Sequence, residues 1–526
     1  MNNPQTYDAL VIGGGATGGG AALDLALRGL HVALVERADL TDGTSGRYHG
    51  LLHSGGRYAV RDPESARECI EENRILRRIL PHAIEDTGGL FVATPDDDPA
   101  YADTWVAACR ACGIETEEIS IGQMLKAEPA LNPASTRAFR VPDASCDSFD
   151  VLSALAAAVQ ALGGTVLTYH EVVGLHLADG RVVGATLRNR RTGEEQRIDA
   201  AVTINAAGAW AGQIAAMAGC PVTVRPNKGT MVAMAYRFVN TIINRCHLPG
   251  DGDILVPVGT VAVIGTTSVN VPDPNVTSTE AWEIERMLDE GEKLVPGFSQ
   301  VRALRAWAGV RPLYEEGGSA QGREAKRTFA VLDHSQRDGV AGLVTVVGGK
   351  FTTYRLMAER AVDVACAQLG VTTACQTQEF VVPDVRTPSE RPKPHHLGLR
   401  LAEVEEAAAD RRTPPNALIC ECELVTRKDV ERAVSAHPDV VAPWVLDDLR
   451  RDLRLGMGPC QGGFCGYRAT GILHELGQVD AGQATAALAD FAQRRWKGMQ
   501  PLLWGQNLRQ ALLDEQIYRG ILGLEK

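Results

Sequence analysis

Three groups of residues in this 526-residue chain have the types and spacing to do chemistry. In "VIGGGATGGG", Gly13, Gly15 and Gly18 form G-x-G-x-x-G. The first glycine permits a tight turn, the second lets a pyrophosphate approach the backbone, and the third lets a helix pack closely on a strand. Far downstream, Cys420 and Cys422 form C-x-C, and Cys460 and Cys465 form C-x4-C. Four thiolates on two turns can hold a [2Fe–2S] cluster or a zinc ion. Between these sets, Arg57 and Arg311 are flanked by glycine and apolar residues, and His49 and His53 lie in "YHGLLHSGG". Guanidinium forks bind phosphate oxygens in a bidentate way that lysine does not copy. An imidazole has an intrinsic pKa suited to proton transfer, although an isolated histidine is more often structural.

These residues need elements to position them. In "DALVIGGGATGGGAALDLALRGLHVALVE", Ala9 to Ile12 read as a buried strand and Ala21 to Arg28 as a helix. The amino end of that helix offers free N–H groups to phosphates. "HVALVE" reads as a second strand ending at Glu36, whose carboxylate can accept hydrogen bonds from ribose hydroxyls. A lone G-x-G-x-x-G is usually a glycine-rich loop and no more. Here strand, loop, helix, strand and acid stand in register, which specifies a dinucleotide site. Glu36 disfavours a 2′-phosphate, leaving FAD or NAD. The position near the N-terminus favours FAD, as does "TINAAGAWAGQIA", where a strand enters a small-residue turn at Ala206, Ala207 and Gly208 before a helix near Trp210. The preceding stretch alternates apolar and polar residues, with turns at Asp179-Gly180 and Thr192-Gly193, and reads as inserted hairpins. "GLVTVVGGKFTTYRLMAERAVDVA" supplies a third strand–glycine–helix crossing at Gly348-Gly349. The middle segment, about 212 to 345, mixes strands such as "DILVPV" with the helix "STEAWEIERMLDEGEKLV". The hydroxyls of Ser278 and Thr279 are expected to cap that helix, with Glu280 in its first turn. The segment reads as an antiparallel sheet with helices, roofing the cofactor and forming a substrate cleft.

The length calls for two or three domains. A formal charge of −12 argues against a nucleic-acid partner, so any phosphate must be met by a local cationic pocket. No stretch approaches the ~20 apolar residues of a membrane helix. The N-terminal residues lack a charged n-region and a cleavage site, so the expected compartment is the cytoplasm and the cysteines are expected as thiols or ligands. "VVPDVRTPSERPKPHHLGLR" reads as a linker. Cys109 and Cys112, in an Ala-rich helix, read as packing rather than a redox pair. The stretch around Arg494, Arg495 and Trp496 could bind a partner or seat the tail on the main body.

Together, "VIGGGATGGG", "HGLLHSGGRYAV", "INAAGAWA", "GVRPL" and "GGKFTTYRLMAE" resemble the FAD-dependent glycerol-3-phosphate dehydrogenases, within the amino-acid oxidase-like flavoproteins. The cysteine tail resembles that of the A subunits of the anaerobic three-subunit branch, with a domain similar to the bacterioferritin-associated ferredoxins, which carry [2Fe–2S]. The resemblance implies an α/β plus α+β architecture: a Rossmann-like FAD domain with an interleaved antiparallel-sheet substrate domain and a small helical cysteine domain. The oxidoreductase part is expected over 1–380, with FAD pieces at about 5–80, 145–215 and 340–370 and substrate pieces at about 81–144 and 216–339. A linker over 381–416, a cysteine domain over 417–475 and a helical extension over 476–526 follow. The resemblance implies that Gly13, Gly15, Gly18 and Glu36 hold the ADP half of FAD. Thr44, Ser45 and His49 would lie along the flavin, Glu171, Val172, Ala207 and Gly208 near the adenosine and pyrophosphate, and Gly349, Lys350 and Thr352 by the isoalloxazine. Arg57, Tyr58, Arg311, Arg327 and Lys350 would meet the substrate; around Arg327 the motif departs from the aerobic pattern, and Arg323 and Lys326 compete with it. Arg311 and His53 are the candidates for charge stabilisation and for the base. Cys420, Cys422, Cys460 and Cys465 would ligate [2Fe–2S], with zinc the alternative, disfavoured by the lack of C-x2-C knuckles. The implied reaction oxidises glycerol 3-phosphate. Electrons would leave through two partners, a second catalytic subunit followed by an iron–sulfur membrane anchor, to membrane quinone, with this chain peripheral on the cytoplasmic face. The alternatives are an amino-acid or hydroxy-acid dehydrogenase of the same superfamily and a non-catalytic electron-transfer subunit.

Overall fold

The computed structural model describes residues 5–314, 328–384, 417–436 and 445–524. Gln5–Ile12, apolar and buried from Ala9 onward, is a strand with neighbours on both edges, paired in parallel with Val32–Val35 and with Glu195–Asn205. Val32–Val35 continues in parallel to Thr165–Leu167, and Glu195–Asn205 to Leu343–Gly348. Parallel strands covered on both faces must be apolar throughout, which is why Val32–Val35 is buried at every position. Helices Ala16–Leu27, Ser148–Ala161 and Tyr354–Leu369 pack on one face through Leu25, Leu155 and Ala361. On the other face, Leu10, Val35 and Ile198 pack with Val182 and Ala215. The hairpin His170–Ala178/Arg181–Asn189 turns at Asp179 and Gly180, both with positive φ, the turn that matches strand twist. Phe329–Asp333 pairs antiparallel with Leu343–Gly348, so this sheet takes up the chain again by Phe329 rather than near 340.

The second sheet has nine strands. Arg225–Met234 is flanked on one edge by Ala303–Leu313 and on the other by Val261–Gly265 and Val269–Asn270. The order then runs through Ile254–Val258, Ile242–Arg245, Gly89–Ala93 and Arg137–Val141 to Glu117–Ile119. The pairing is antiparallel except between Ile242–Arg245 and Gly89–Ala93, which is parallel. The sheet is therefore mixed rather than antiparallel throughout. Those two strands come from distant pieces of chain, and no tight hairpin turn dictates their relative direction. Helix Ala281–Leu294 covers this sheet with Ile284, Met287 and Leu294. Its amino end is served by the Glu283 carboxylate, which accepts from the Glu280 N–H at 3.0 Å, and not by the hydroxyls of Ser278 and Thr279. Glu283 is anchored there by a buried pair with Lys228 at 2.8 Å, whereas the Ser278 hydroxyl turns to the Glu280 carboxylate at 3.3 Å.

The tail opens with a two-stranded ladder, Leu418–Cys420 against Val425–Thr426. Its helices share a core of Val430, Leu449, Leu473 and Phe491. It is seated on the first sheet by ion pairs: Arg451 to Asp39 at 2.7 Å and Asp42 at 3.1 Å, Arg454 to Asp147 at 2.7 Å, and Arg191 to Asp448 at 3.0 Å. Cys109 and Cys112 are buried beside Phe91 and Trp105. Among the described residues no helix is long and apolar enough to cross a membrane.

Candidate flavin site and cysteine centre

A cavity of about 430 Å³ is lined by residues of both large sheets. At its dinucleotide end, Gly13 has φ +116° and donates its N–H to the Val35 carbonyl at 2.8 Å. A Cβ on Gly18 would lie 1.8 Å from the Gly13 carbonyl oxygen, so the loop folds over the helix start only with glycine there. A Cβ on Gly13 would lie 2.6 Å from the Ala206 carbonyl oxygen, where the loop crosses the next strand. Glu36 accepts from the N–H groups of Gly14 at 2.7 Å and Ala38 at 2.9 Å. Burial pushes its carboxyl up, and those two donors oppose the shift. The Ser45 hydroxyl accepts from the Ala16 N–H at 2.9 Å, at the helix end where a pyrophosphate would be received. Tight glycines, an amino helix end and a ribose-facing acid in one cleft fit a bound dinucleotide.

At the other end the side chains are cations and imidazoles. Arg311 donates to Asn227 Oδ1 at 2.7 Å, to the Thr267 carbonyl at 3.2 Å and to Thr266 Oγ1. Gly229 makes room for it, since a Cβ there would lie 2.4 Å from the guanidinium. Arg57 pairs with buried Asp253 at 2.7 Å and donates to the Gly250 carbonyl at 3.1 Å. The Lys350 ammonium lies 5.0 Å from the Tyr58 ring centre, and the His53 ring centre lies 5.3 Å from the same ring. The His53 N–H donates to Thr352 Oγ1 at 3.1 Å. His49 Nδ1 accepts from the Leu51 N–H at 3.3 Å, which puts the ring hydrogen on Nε2. Burial, then Arg57 and Arg311, push His49 down to about 3. Burial, then His49, Arg57 and Lys350, hold His53 well below the usual imidazole value. Both rings are therefore neutral, and among the described residues none hydrogen-bonds the His53 ring.

Of the residues singled out from the sequence, Gly13, Gly15, Glu36, Thr44 and Ser45 line the cavity. So do His49, His53, Arg57, Tyr58 and Arg311, and likewise Val172, Ala207, Gly208, Gly349, Lys350 and Thr352. Gly18 lies behind the loop. Arg327, with Arg323 and Lys326, falls outside the described residues. Unanticipated were Asp253, Asn227 and Thr266, which hold the arginines, and Arg37, whose guanidinium lies 4.1 Å over the Trp210 ring. Their partners sit on distant pieces of chain, so no local spacing signals them.

The four tail thiols form a series. Cys465 neighbours Cys420, Cys420 neighbours Cys422, and Cys422 neighbours Cys460. The Cys420 thiol, then the surrounding burial, push Cys422 up to about 11. The Cys422 thiol and burial likewise push Cys460 up, against the N–H groups of Gly462 and Phe464 that point at its sulfur. Crowded thiols of this kind become thiolates together only around a cation. The all-sulfur donors and the aimed N–H groups fit a metal–sulfur centre. The described residues whose donor atoms all lie within 4.8 Å of one another are instead Cys220, His334 and Asp338. There His334 Nδ1 meets Asp338 at 2.5 Å and Nε2 meets Thr345 Oγ1 at 2.8 Å, while Arg337 pairs with Asp338 at 3.3 Å. That network is satisfied as it stands and reads as structural.

A parallel sheet carrying a glycine-rich dinucleotide loop, joined to a second sheet that closes the cavity, defines a dinucleotide-dependent oxidoreductase. Residues 8–355 match the family described as FAD dependent oxidoreductase. The chain is 44% identical over 537 residues to the A subunit of the Escherichia coli anaerobic glycerol-3-phosphate dehydrogenase, across 99% of this chain and 98% of that one. It is 41% identical over 549 residues to the A1 subunit of the Haloferax volcanii enzyme of the same name, across 99% and 92%. The crystal structure of a Bacillus halodurans glycerol-3-phosphate dehydrogenase complexed with FAD superposes with a TM-score of 0.66 at 20% identity, across 95% and 96% of the two chains. The chain belongs to the FAD-dependent oxidoreductases and, within them, to the family of the anaerobic glycerol-3-phosphate dehydrogenase A subunits.

Proposed function

We propose that this chain binds FAD in the cavity and oxidises the secondary alcohol of sn-glycerol 3-phosphate to the ketone, dihydroxyacetone phosphate. The observation that carries this is the convergence of Arg57, Arg311 and Lys350 on one end of a cavity whose other end is the glycine loop. A phosphomonoester brings about two negative charges. Three cations against the one carboxylate of Asp253 leave two net positive charges, which suit it, whereas the carboxylate of an amino acid or hydroxy acid calls for one. Arg57 and Lys350 hold the phosphate. Arg311, fixed by three acceptors, lies ready to stabilise the charge that develops on the alcohol oxygen. His53 takes the alcohol proton. It is preferred to His49, whose Nδ1 lone pair is already engaged. The phosphate also offsets the charges of Arg57 and Lys350, two of the groups that depress His53, so the ring becomes more basic as substrate binds. When bound, FAD supplies the acceptor for the hydride that leaves carbon.

We propose further that Cys420, Cys422, Cys460 and Cys465 hold a [2Fe–2S] cluster, which supplies a one-electron acceptor. Partner subunits and membrane quinone would be the acceptors beyond it. The relatives are named as subunits, which supports assembly with others. A single hairpin, Ile254–Val258/Val261–Gly265, connects the two sites: Ile254 and Thr266 line the cavity, and Thr260 at its turn donates to Glu423 at 3.2 Å, next to Cys422. Five residues of strand span roughly 15 Å. The test is anaerobic mixing of the FAD-loaded protein with glycerol 3-phosphate and with a panel of amino and hydroxy acids. Bleaching of the flavin by glycerol 3-phosphate alone is expected. Bleaching by an amino acid instead would support the superfamily alternative, and no bleaching would support a pure electron carrier.

A further inference from the structure

We propose that the junction between body and tail is a second anion site, in which Arg305, Arg450 and Arg495 bind a phosphate group away from the flavin cavity. Arg305 lies on strand Ala303–Leu313 of the body, on the same face as Arg311. Helix Ala481–Met499 of the tail crosses it at Gly498, where a Cβ would lie 2.9 Å from the Arg305 guanidinium. Arg495, within one turn of that crossing, is 6% exposed. Among the described residues Arg305 makes no hydrogen bond or ion pair, and its buried Nε has no partner. Arg495 donates from one nitrogen to the Gly456 carbonyl at 3.0 Å, and its buried Nε also lacks a partner. The carboxylate beside them, Asp447, is already committed to Arg450 at 2.8 Å and Arg494 at 2.6 Å.

Several guanidinium groups that share the carboxylate of Asp447 away from water carry surplus positive charge, which is unfavourable. Burial, then Arg450, push Arg305 down to about 10, and Asp447 opposes the shift. A dianion between the forks removes the repulsion and satisfies both free N–H groups, and tetrahedral phosphate matches the fork geometry. Because Arg305 belongs to the body and Arg450 and Arg495 to the tail, the bound phosphate would clamp one to the other. A free phosphate or phosphate ester and a phospholipid headgroup share this chemistry. The recessed position of Arg495 favours the free ion, whereas the neighbouring Trp496, 45% exposed, would face a membrane surface.

The experiment uses the full, FAD-loaded chain at fixed ionic strength set by chloride. Equilibrium dialysis with labelled inorganic phosphate is expected to show two sites in the wild type, one in the flavin cavity and one at the junction. Arg305→Gln should weaken one of them at least tenfold and leave the other. Lys350→Gln, which removes one of the two cations assigned to the phosphate in the flavin cavity, should do the converse, which separates this proposal from the reading of the flavin site. Hydrogen exchange over residues 446–453 should slow with phosphate in the wild type and stay unchanged by phosphate in Arg305→Gln. If Arg305→Gln fails to retain FAD, Arg305→Lys serves instead, because it keeps the charge and loses the fork; severalfold weaker binding is expected. Equal stoichiometry and affinity in wild type and variant overturn the site. Protection of 446–453 by phosphatidylglycerol vesicles alone, with no effect of inorganic phosphate or glycerol 3-phosphate, overturns the small-ion site in favour of a headgroup.

Discussion

Replacing Arg311 with alanine tests the chemistry most directly. The side chain is pinned by Asn227, Thr266 and Thr267, with Gly229 beneath it, so its remaining N–H groups keep one orientation in the cavity. A preorganised donor of this kind stabilises charge that appears in the transition state, and losing one typically costs ~10²–10³ in kcat, or roughly 3–4 kcal/mol. Asn227 Oδ1 keeps the Ser268 hydroxyl as a donor at 3.2 Å, so the lost hydrogen bond costs the fold only on the order of 1 kcal/mol. FAD should remain bound, because the glycine loop and Glu36 lie at the other end of the cavity. Arg311→Lys keeps a charge, but one ammonium cannot copy the planar fork that reaches three acceptors, so it should recover less than tenfold. The assay is stopped-flow flavin reduction under anaerobic conditions, at saturating glycerol 3-phosphate, with FAD content measured on the same sample. A reduction rate within about threefold of wild type at full FAD occupancy would falsify the role. Loss of FAD in parallel with rate would mark Arg311 as structural.

Gly18→Ala would put a methyl 1.8 Å from the Gly13 carbonyl oxygen, so the protein should lose FAD; visible flavin absorbance after gel filtration reads this, and full retention contradicts the loop assignment. His53→Gln should slow flavin reduction and also alter acid sensitivity. Because the folded-state pKa of His53 is depressed, its contribution to stability is present above about 6.5 and lost as pH falls, at up to ~1.4 kcal/mol per pH unit. Denaturation midpoints of wild type and variant should therefore converge or cross between pH 7 and 5, and parallel curves would remove the buried neutral histidine from the account. A combined Cys420→Ser and Cys460→Ser change should spare bleaching by glycerol 3-phosphate and rates with small dyes while stopping transfer to the natural acceptor. Wild-type protein prepared anaerobically with iron should contain iron and acid-labile sulfide, and zinc alone would refute the cluster. The flavin should be released by acid precipitation, since it is held without a covalent link.

What could be read from the sequence was local. Gly13, Gly15 and Gly18 act within one turn and Glu36 at the end of the next strand, so their spacing carries the geometry. The cysteine pairs likewise declare a donor set, although spacing alone does not reveal the serial order of the thiols. The hidden features depend on pairing across the chain. Asp253 holds Arg57, and Asn227 holds Arg311, across distances in sequence that no periodicity spans. The same limit explains the parallel pair within the second sheet and the place of Phe329–Asp333 in the first. At helix Ala281–Leu294 a buried ion pair decided which side chain serves the amino end, overriding the preference for hydroxyls.

The position of the tail bears on how the flavin site and the proposed cysteine centre should be separated experimentally. Asp39 and Asp42, which pair with Arg451, flank the path into Gly43, Thr44 and Ser45, which line the cavity. Arg454 bridges Asp147 of the FAD sheet's helix cap and Glu423 of the cysteine hairpin. The body therefore braces the tail and the tail braces the flavin loop through the same ion pairs. Deleting the tail from about Thr413 would remove the thiols and at the same time release the loop that carries Ser45. Slower flavin reduction after such a deletion would not separate lost electron transfer from a loosened cofactor site. Serine at the cysteine positions leaves Arg451 and Arg454 in place. Intact bleaching in the serine variant, with weakened FAD retention in the truncated chain, is the pair of results that this bracing requires.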